Sequence, residues 1–201
     1  MEAIDWNVVV LGYWNLSILT PGRIGSKIFG LAPGEPVEVL VQLDSQSSFQ
    51  VKHDNVIVVP VQNQLLLQTV EHTNANLAKA AEFAKNAIQS LPETPLIACG
   101  INFRYKFDEL PTKLSNAVRC GTEGILSDLD HDIVNRRRGE SVRHENGLLR
   151  INIDLSSETG GVIVFNFDLQ DPTSETASTW LSQDIEALYT ITNRIMENLN
   201  D

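Results

Sequence analysis

Cysteine is scarce in this chain of 201 residues: Cys99 and Cys120 are the only two, and they have neither C-x-x-C spacing nor paired histidines. A disulfide framework or zinc motif therefore has no basis, and both thiols are expected to be reduced and buried. Long apolar runs are missing too. The stretch Val56 to Val61 breaks after a few residues, far short of the roughly 20 needed to span a bilayer. The start Met1-Glu2-Ala3-Ile4-Asp5 carries acids where an export signal needs positive charge. The expectation is a cytoplasmic protein that does not associate with membranes. Basic residues are in the minority, 15 Lys and Arg against 26 Asp and Glu, for a net charge of −11. That charge repels phosphate backbones at long range and argues against nucleic acid as a partner.

Nucleotide and nucleophile signatures are equally lacking. Nothing matches G-x-x-x-x-G-K-[ST], G-x-G-x-x-G or G-x-S-x-G. No cofactor is implied.

What is present is pattern. Val8-Val9-Val10-Leu11 reads as a buried strand ending at Gly12. Thr20 and Pro21 open a short helix with Ile24, Ile28 and Phe29 on one face, closed by Gly30 and Pro33-Gly34. From Pro36 to Val70 the chain reads as an antiparallel meander: Val37-Val39-Val41-Leu43 alternates, Phe49-Val51 is short, Val56 to Val59 is apolar throughout, and Leu65 to Val70 follows the turn at Gln62-Asn63-Gln64. A helix capped by Asn74 then places Leu77, Ala80, Ala81, Ala84, Ala87, Ile88 and Leu91 on one stripe before Pro92.

The second half begins with a strand from Pro95 to Phe107 and a short helix from Asp108 to Asn116. Residues Ile125 to Val134 read as a mixed, strand-like segment. Leu149-Ile151-Ile153-Leu155 and Ile163-Phe165-Phe167-Leu169 alternate strictly, with Gly160-Gly161 in the turn between them. A long helix opens at Ser174, and Leu181, Ile185, Leu188, Ile191 and Ile195 share its apolar face.

The fold class is thus α+β: antiparallel sheets backed by long helices, with β-α-β(3-4)-α order in each of two halves, 1–93 and 94–201, forming one compact unit. The best local match between halves sets Val10 to Asn15 against Ala98 to Phe103. This element order resembles the TATA-binding-protein type of fold and the helix-grip folds akin to it. The resemblance covers most of the chain, includes no motif residue, and implies a curved sheet carrying helices on one face; it transfers no DNA-binding role.

Three groups of residues could carry chemistry. Asp128, Asp130 and Asp132, beside His131, would project from one strand face and could hold a hard cation. The EF-hand pattern fails, since Ile133 and Gly139 stand where it needs glycine and glutamate. The default for this group is a solvated strand face or loop. Arg136, Arg137, Arg138 and Arg143 make a basic island that could grip an anion, the bland alternative being local pairing with the three aspartates. Tyr13, Trp14, Asn15, Asn102, Phe103 and Tyr105 lie where the first strand of each half leaves the sheet, and could line a small pocket at a shared seam or simply pack there. His53, His72, His131 and His144 are expected at the surface. The leading expectation is a non-enzymatic binding module with a protein partner or a homo-oligomer. A small-ligand carrier with its pocket between sheet and C-terminal helix, and a metal-dependent hydrolase built on Asp128, Asp130 and Asp132, are the alternatives.

Overall fold

The computed structural model describes residues 1–41, 49–109, 111–119, 121–156 and 160–200. Leu43 and Cys120, and most of the turn before Gly160, lie outside them. The chain forms one antiparallel sheet of nine strands, β1 (Glu2–Gly12), β2 (Glu38–Leu40), β3 (Gln50–His53), β4 (Val56–Val61), β5 (Gln64–Thr69), β6 (Leu96–Phe107), β7 (Asn135–His144), β8 (Gly147–Ser156) and β9 (Gly160–Gln170). Its spatial order is β2-β3-β4-β5-β1-β6-β9-β8-β7. The expected pair of sheets is therefore one sheet, joined where β1 pairs with β6.

Alternation along the strands decides which side chains meet the helices. On β1 the residues Trp6, Val8 and Val10 are buried, and on β6 so are Cys99, Ile101, Phe103, Tyr105 and Phe107. Against this face lie α2 (Asn74–Ser90), α5 (Ser174–Trp180) and α6 (Ile185–Asn200). Helix α2 offers Leu77, Ala80, Ala81, Phe83, Ala84, Ala87 and Ile88 to the core. Its alanines let the helix approach β1 and β5 closely. Tyr189 of α6 packs on Trp6 and Phe103, with ring centroids 5.5 and 6.3 Å apart. Aromatic pairs of this kind bury large areas and contribute about 0.5–1.5 kcal/mol beyond that burial.

Helix starts follow the sequence closely, shifted by one residue. Thr73 rather than Asn74 caps α2, accepting from the Asn76 backbone N–H at 3.2 Å, and Thr173 rather than Ser174 caps α5. Thr20 caps α1 (Pro21–Arg23), which continues as a π-helical turn from Ile24 to Ile28 and stops at Gly30 with φ 75°. The long C-terminal helix is two helices. Residues Leu181 to Asp184 break it, and the Asp184 side chain accepts from the Glu186 N–H where α6 starts.

The region between β6 and β8 departs furthest from expectation. Pro111 displaces the helix start, so α3 spans Thr112–Ala117. The strand-like stretch from Ile125 is instead α4 (Glu123–Asp128) and a loop. The arginine-rich segment is the edge strand β7, paired with β8 along its length. Charged side chains suit such an edge because they discourage unwanted strand pairing.

Phe103 stands at the crossing of β6, β1 and α6, with no exposed surface. Phe103→Ala is expected to destabilise the fold by about 3–5 kcal/mol, read as a lowered urea midpoint with unchanged slope. A change below about 1 kcal/mol would contradict this account of the core.

Candidate functional site

The side chains of the strands that point away from the helices form the second face of the sheet, and no described helix packs on it. One transverse row runs Gln68, Asn7, Asn102, Asn166, Arg150, Ser141 across β5, β1, β6, β9, β8 and β7, each directly opposite the next. Three amides of that row are joined. The Asn166 Nδ2 donates to Asn102 Oδ1 at 2.5 Å, Asn102 Nδ2 to Asn7 Oδ1 at 2.8 Å, and Asn7 Nδ2 to Asp5 Oδ1 at 2.9 Å. A chain of amides oriented in one direction is self-consistent, since each carboxamide both donates and accepts.

Next to this row the face dips. Gly100 lies opposite Val9 and Asp168, and a Cβ there would sit 3.0 Å from Asn166 Nδ2. The resulting hollow of about 180 Å³ is rimmed by Val9, Leu11, Asn102, Asn166, Asp168 and Gln170. Asp168 is only 5% exposed. Its carboxylate is held by Arg150 Nε at 3.1 and 3.3 Å and by the Gln170 amide. A second hollow of about 480 Å³ lies over Gly139, bounded by Arg104, Arg137, Asn152, Asp154 and Val164.

Four ion pairs form within this face. Lys52 meets Glu38 at 3.5 Å, Arg104 meets Asp5 at 3.7 Å, Arg137 meets Asp154 at 2.8 Å and Arg150 meets Asp168 at 3.1 Å. Apolar side chains fill the spaces on both sides of the amide row. Val61, Leu66, Val9 and Leu11 lie to one side, Val162 and Val164 to the other, and Ile57 extends the row beyond Gln68, all half-buried by their neighbours.

The six residues expected at a seam separate into three places. Because β1 and β6 run antiparallel, Gly12 is opposite Leu96 whereas Ala3 is opposite Tyr105, so Tyr13, Trp14 and Asn15 leave the sheet at the end remote from Tyr105. Trp14 is buried, donating its indole N–H to Val10 O at 3.1 Å; Asn15 accepts from the Ser17 N–H in a tight turn; Tyr13 is exposed. Phe103 and Tyr105 face the helices, and only Asn102 reaches the open face.

The arginines find other partners than the three aspartates. Arg136 binds Glu123 at 2.8 and 3.3 Å, and Arg138 reaches Glu140 and the Ala117 carbonyl. Arg143 lies on β7 beyond them. Asp128 ends α4, Asp130 sits in a turn with φ 57°, and Asp132 follows in a loop, so the expected strand face is not formed. Among the described residues no group of three His, Cys, Asp or Glu side chains is placed to hold a metal ion.

Two groups on the helix side are shifted by burial. The Cys99 thiol, 1% exposed, is pushed up to about 12, first by loss of solvent and then by Asp168. Tyr105 is raised well above the usual phenol range by burial, with Tyr189 adding to it, and its hydroxyl has no hydrogen-bond partner among the described residues. Three histidines depart from the surface expectation: His53 packs on Phe29 at 5.3 Å, His144 on Phe167 at 5.1 Å, and His72 on Trp6 at 6.2 Å. For His53 and His144 strand alternation is the reason, since both occupy positions that point toward the helices.

No known protein family matches the chain, and no curated protein is significantly similar to it. No described helix is long and apolar enough to cross a membrane.

Sequence reasoning passed over Asn7, Asn166, Gly100, Arg150 and Asp168. The signal was available. Trp6-Asn7-Val8 and Phe165-Asn166-Phe167 each place an amide between large apolar residues in the middle of a strand, where alternation assigns it to the opposite face.

Because the thiol form of Cys99 persists to high pH, alkylation by iodoacetamide, which needs the thiolate, should be negligible at pH 8 in the native protein. It should be complete in denaturant, as peptide mapping at Cys99 would show. Native labelling at the denatured rate would disprove the burial described.

Proposed function

We propose that the chain is a non-enzymatic binding module that docks a protein surface on the helix-free face of the sheet, and that a second copy of the chain is the partner this face suits best. The observation that carries this reading is a broad, half-apolar face on which four ion pairs cancel charge locally, in a molecule of net charge −11. From β4 to β7 seven strands at about 4.8 Å spacing give a width of about 29 Å. With about 20 Å along the strands, the projected area is roughly 600 Å², close to the ~800 Å² per partner of a standard interface.

We read the two halves as a structural duplication, which goes beyond the shared element order. The outward order from β1 is β5, β4, β3, and from β6 it is β9, β8, β7. Matched strand by strand, the β3–β4 turn Lys52-His53-Asp54-Asn55 falls on the β7–β8 turn Arg143-His144-Glu145-Asn146. Asp54 and Glu145 both adopt φ 49°. The same matching takes Leu67 to Phe167 and the cap Thr73 to Thr173. It replaces the alignment of Val10 with Ala98 by one in which Val8 corresponds to Ile101, its own pairing partner. The correspondence is one of backbone, since on the open face it sets Val9 against Asn102 and Leu66 against Asn166; an isologous dimer needs only the same face on both copies.

Sedimentation or light scattering across a dilution series is expected to show a dimer at about 100 µM that dissociates in Val164→Asp and in Leu66→Asp, with circular dichroism unchanged, because a carboxylate is costly to bury in an interface. Lowering the salt from 0.15 M to about 0.01 M extends screening from about 8 Å to about 30 Å and should weaken the dimer, as the repulsion between two acidic molecules then acts at full range. A strict monomer at every concentration and salt would end the self-association reading.

A further inference from the structure

Strand β7 forms one edge of the sheet, and no described strand pairs with its outer side over its ten residues. The register decides which backbone groups that side presents. His144 stands opposite Gly147 across the two-residue turn Glu145-Asn146, and the pair that closes such a turn exchanges both of its hydrogen bonds. Bonding to β8 therefore falls to His144, Val142, Glu140, Arg138 and Arg136. The N–H and C=O groups of Arg143, Ser141, Gly139, Arg137 and Asn135 point outward, and no described backbone group bonds to them. An exposed edge of this length is a template for another strand.

The side chains restrict which strand can be added. Arg136 is engaged by Glu123 and Arg137 by Asp154. Arg138 and Glu140 touch each other yet remain half-exposed. Val142, an apolar residue on the same side of the strand, is 47% exposed.

We propose that a second copy of the chain pairs with this edge, β7 against β7 and antiparallel, about a twofold axis at Gly139, so that one sheet continues through both molecules. In this register Arg138 faces Glu140 of the second copy and Glu140 faces its Arg138. Both pairs fall at non-hydrogen-bonded positions, where opposed side chains are closest. Further out Arg137 faces Ser141, Arg136 faces Val142 and Asn135 faces Arg143, so no two arginines are opposed. The outward groups come from every second residue, so the axis must pass through a residue, and the neighbouring choices are worse. An axis at Arg138 opposes that arginine to itself. One at Glu140 opposes Glu140 to itself and Arg137 to Arg143, and one at Ser141 runs Arg136 and Arg137 past the end of the opposing strand. The axis at Gly139 pairs nearly the whole strand through about ten main-chain hydrogen bonds. The charges that exclude other strands from this edge thus admit its own copy. This interface is separate from the open face and does not rest on the face-to-face reading above.

The test uses Val164→Asp chains, in which the open face is disabled, followed by small-angle X-ray scattering at about 1 mM. One strand pair buries less than a standard interface, so a Kd on the order of a millimolar is expected, with a dimer elongated across the strands. Arg138→Glu and Glu140→Arg, each added to that chain, set like charges opposite one another and should raise the Kd at least about tenfold. Mixed in equal amounts, the two should associate again, because every arginine then meets a glutamate. Ser141→Pro removes an outward donor without disturbing a bond to β8 and should abolish the pairing with circular dichroism unchanged. A monomer at about 1 mM, single charge variants that associate as strongly as their parent, or a mixture no more associated than its components overturns the proposal. An elongated dimer of the Val164→Asp chain supports edge pairing even where no compact dimer forms through the open face, so the two readings fail separately.

Discussion

The antiparallel pairing of β1 with β6 is the contact on which the rest of the molecule depends. It runs from Glu2 opposite Lys106 to Gly12 opposite Leu96 and interrupts its register only near each end. Each strand carries its half of the sheet on its far side, β5 to β2 beyond β1 and β9 to β7 beyond β6. A slip of one residue here would send Trp6, Val8 and Val10 to the open face and Asn7 into the core. The cost of burying that amide without its partners protects the register from one side, and the loss of aromatic burial protects it from the other.

A sheet covered on one face only must make its other face tolerable to water. Here that is done with an amide ladder, four ion pairs and half-buried aliphatic side chains instead of a second layer. Surface ion pairs contribute little to stability, about 0–1 kcal/mol each, so their value lies elsewhere. They cancel charge locally. The acids that give the molecule its net charge include Glu82, Glu175, Asp184 and Glu186 of the helices and the turn joining them. Those stand about 10 Å behind the sheet, beyond the ~8 Å screening length of physiological salt. The open face therefore combines locally paired charge with apolar surface.

Much of the architecture was legible because alternation and caps are local signals. The strict pattern in Leu149 to Leu155 and Ile163 to Leu169 located β8 and β9, and the alanine stripe located α2. The arginine segment was not legible as a strand because nothing covers its outer edge, so its residues carry no hydrophobic period. Likewise the break at Leu181 to Asp184 was hidden by an apolar spacing that continues across it from Leu181 through Ile185 to Leu188. The open-face residues were hard to see for a different reason. Asn7, Asn102 and Asn166 come together only through the register of three strands, which no single segment encodes.

The same break sets how the helices cover the sheet. Helix α2 continues unbroken for 17 residues along β1 and β5, so its Lys79 can extend from an exposed flank to the Asp54 turn while the alanine stripe stays against the sheet. Helix α5 stops after seven residues at Trp180, and the chain turns so that α6 can bring Tyr189 over Trp6 and Phe103 at the centre of the molecule. With α5 this short, Trp180 closes the helix as a buried residue beside Leu181. Closing the centre of the molecule with α6 therefore requires the chain to turn at Leu181 to Asp184, so the interruption between α5 and α6 is a consequence of core packing.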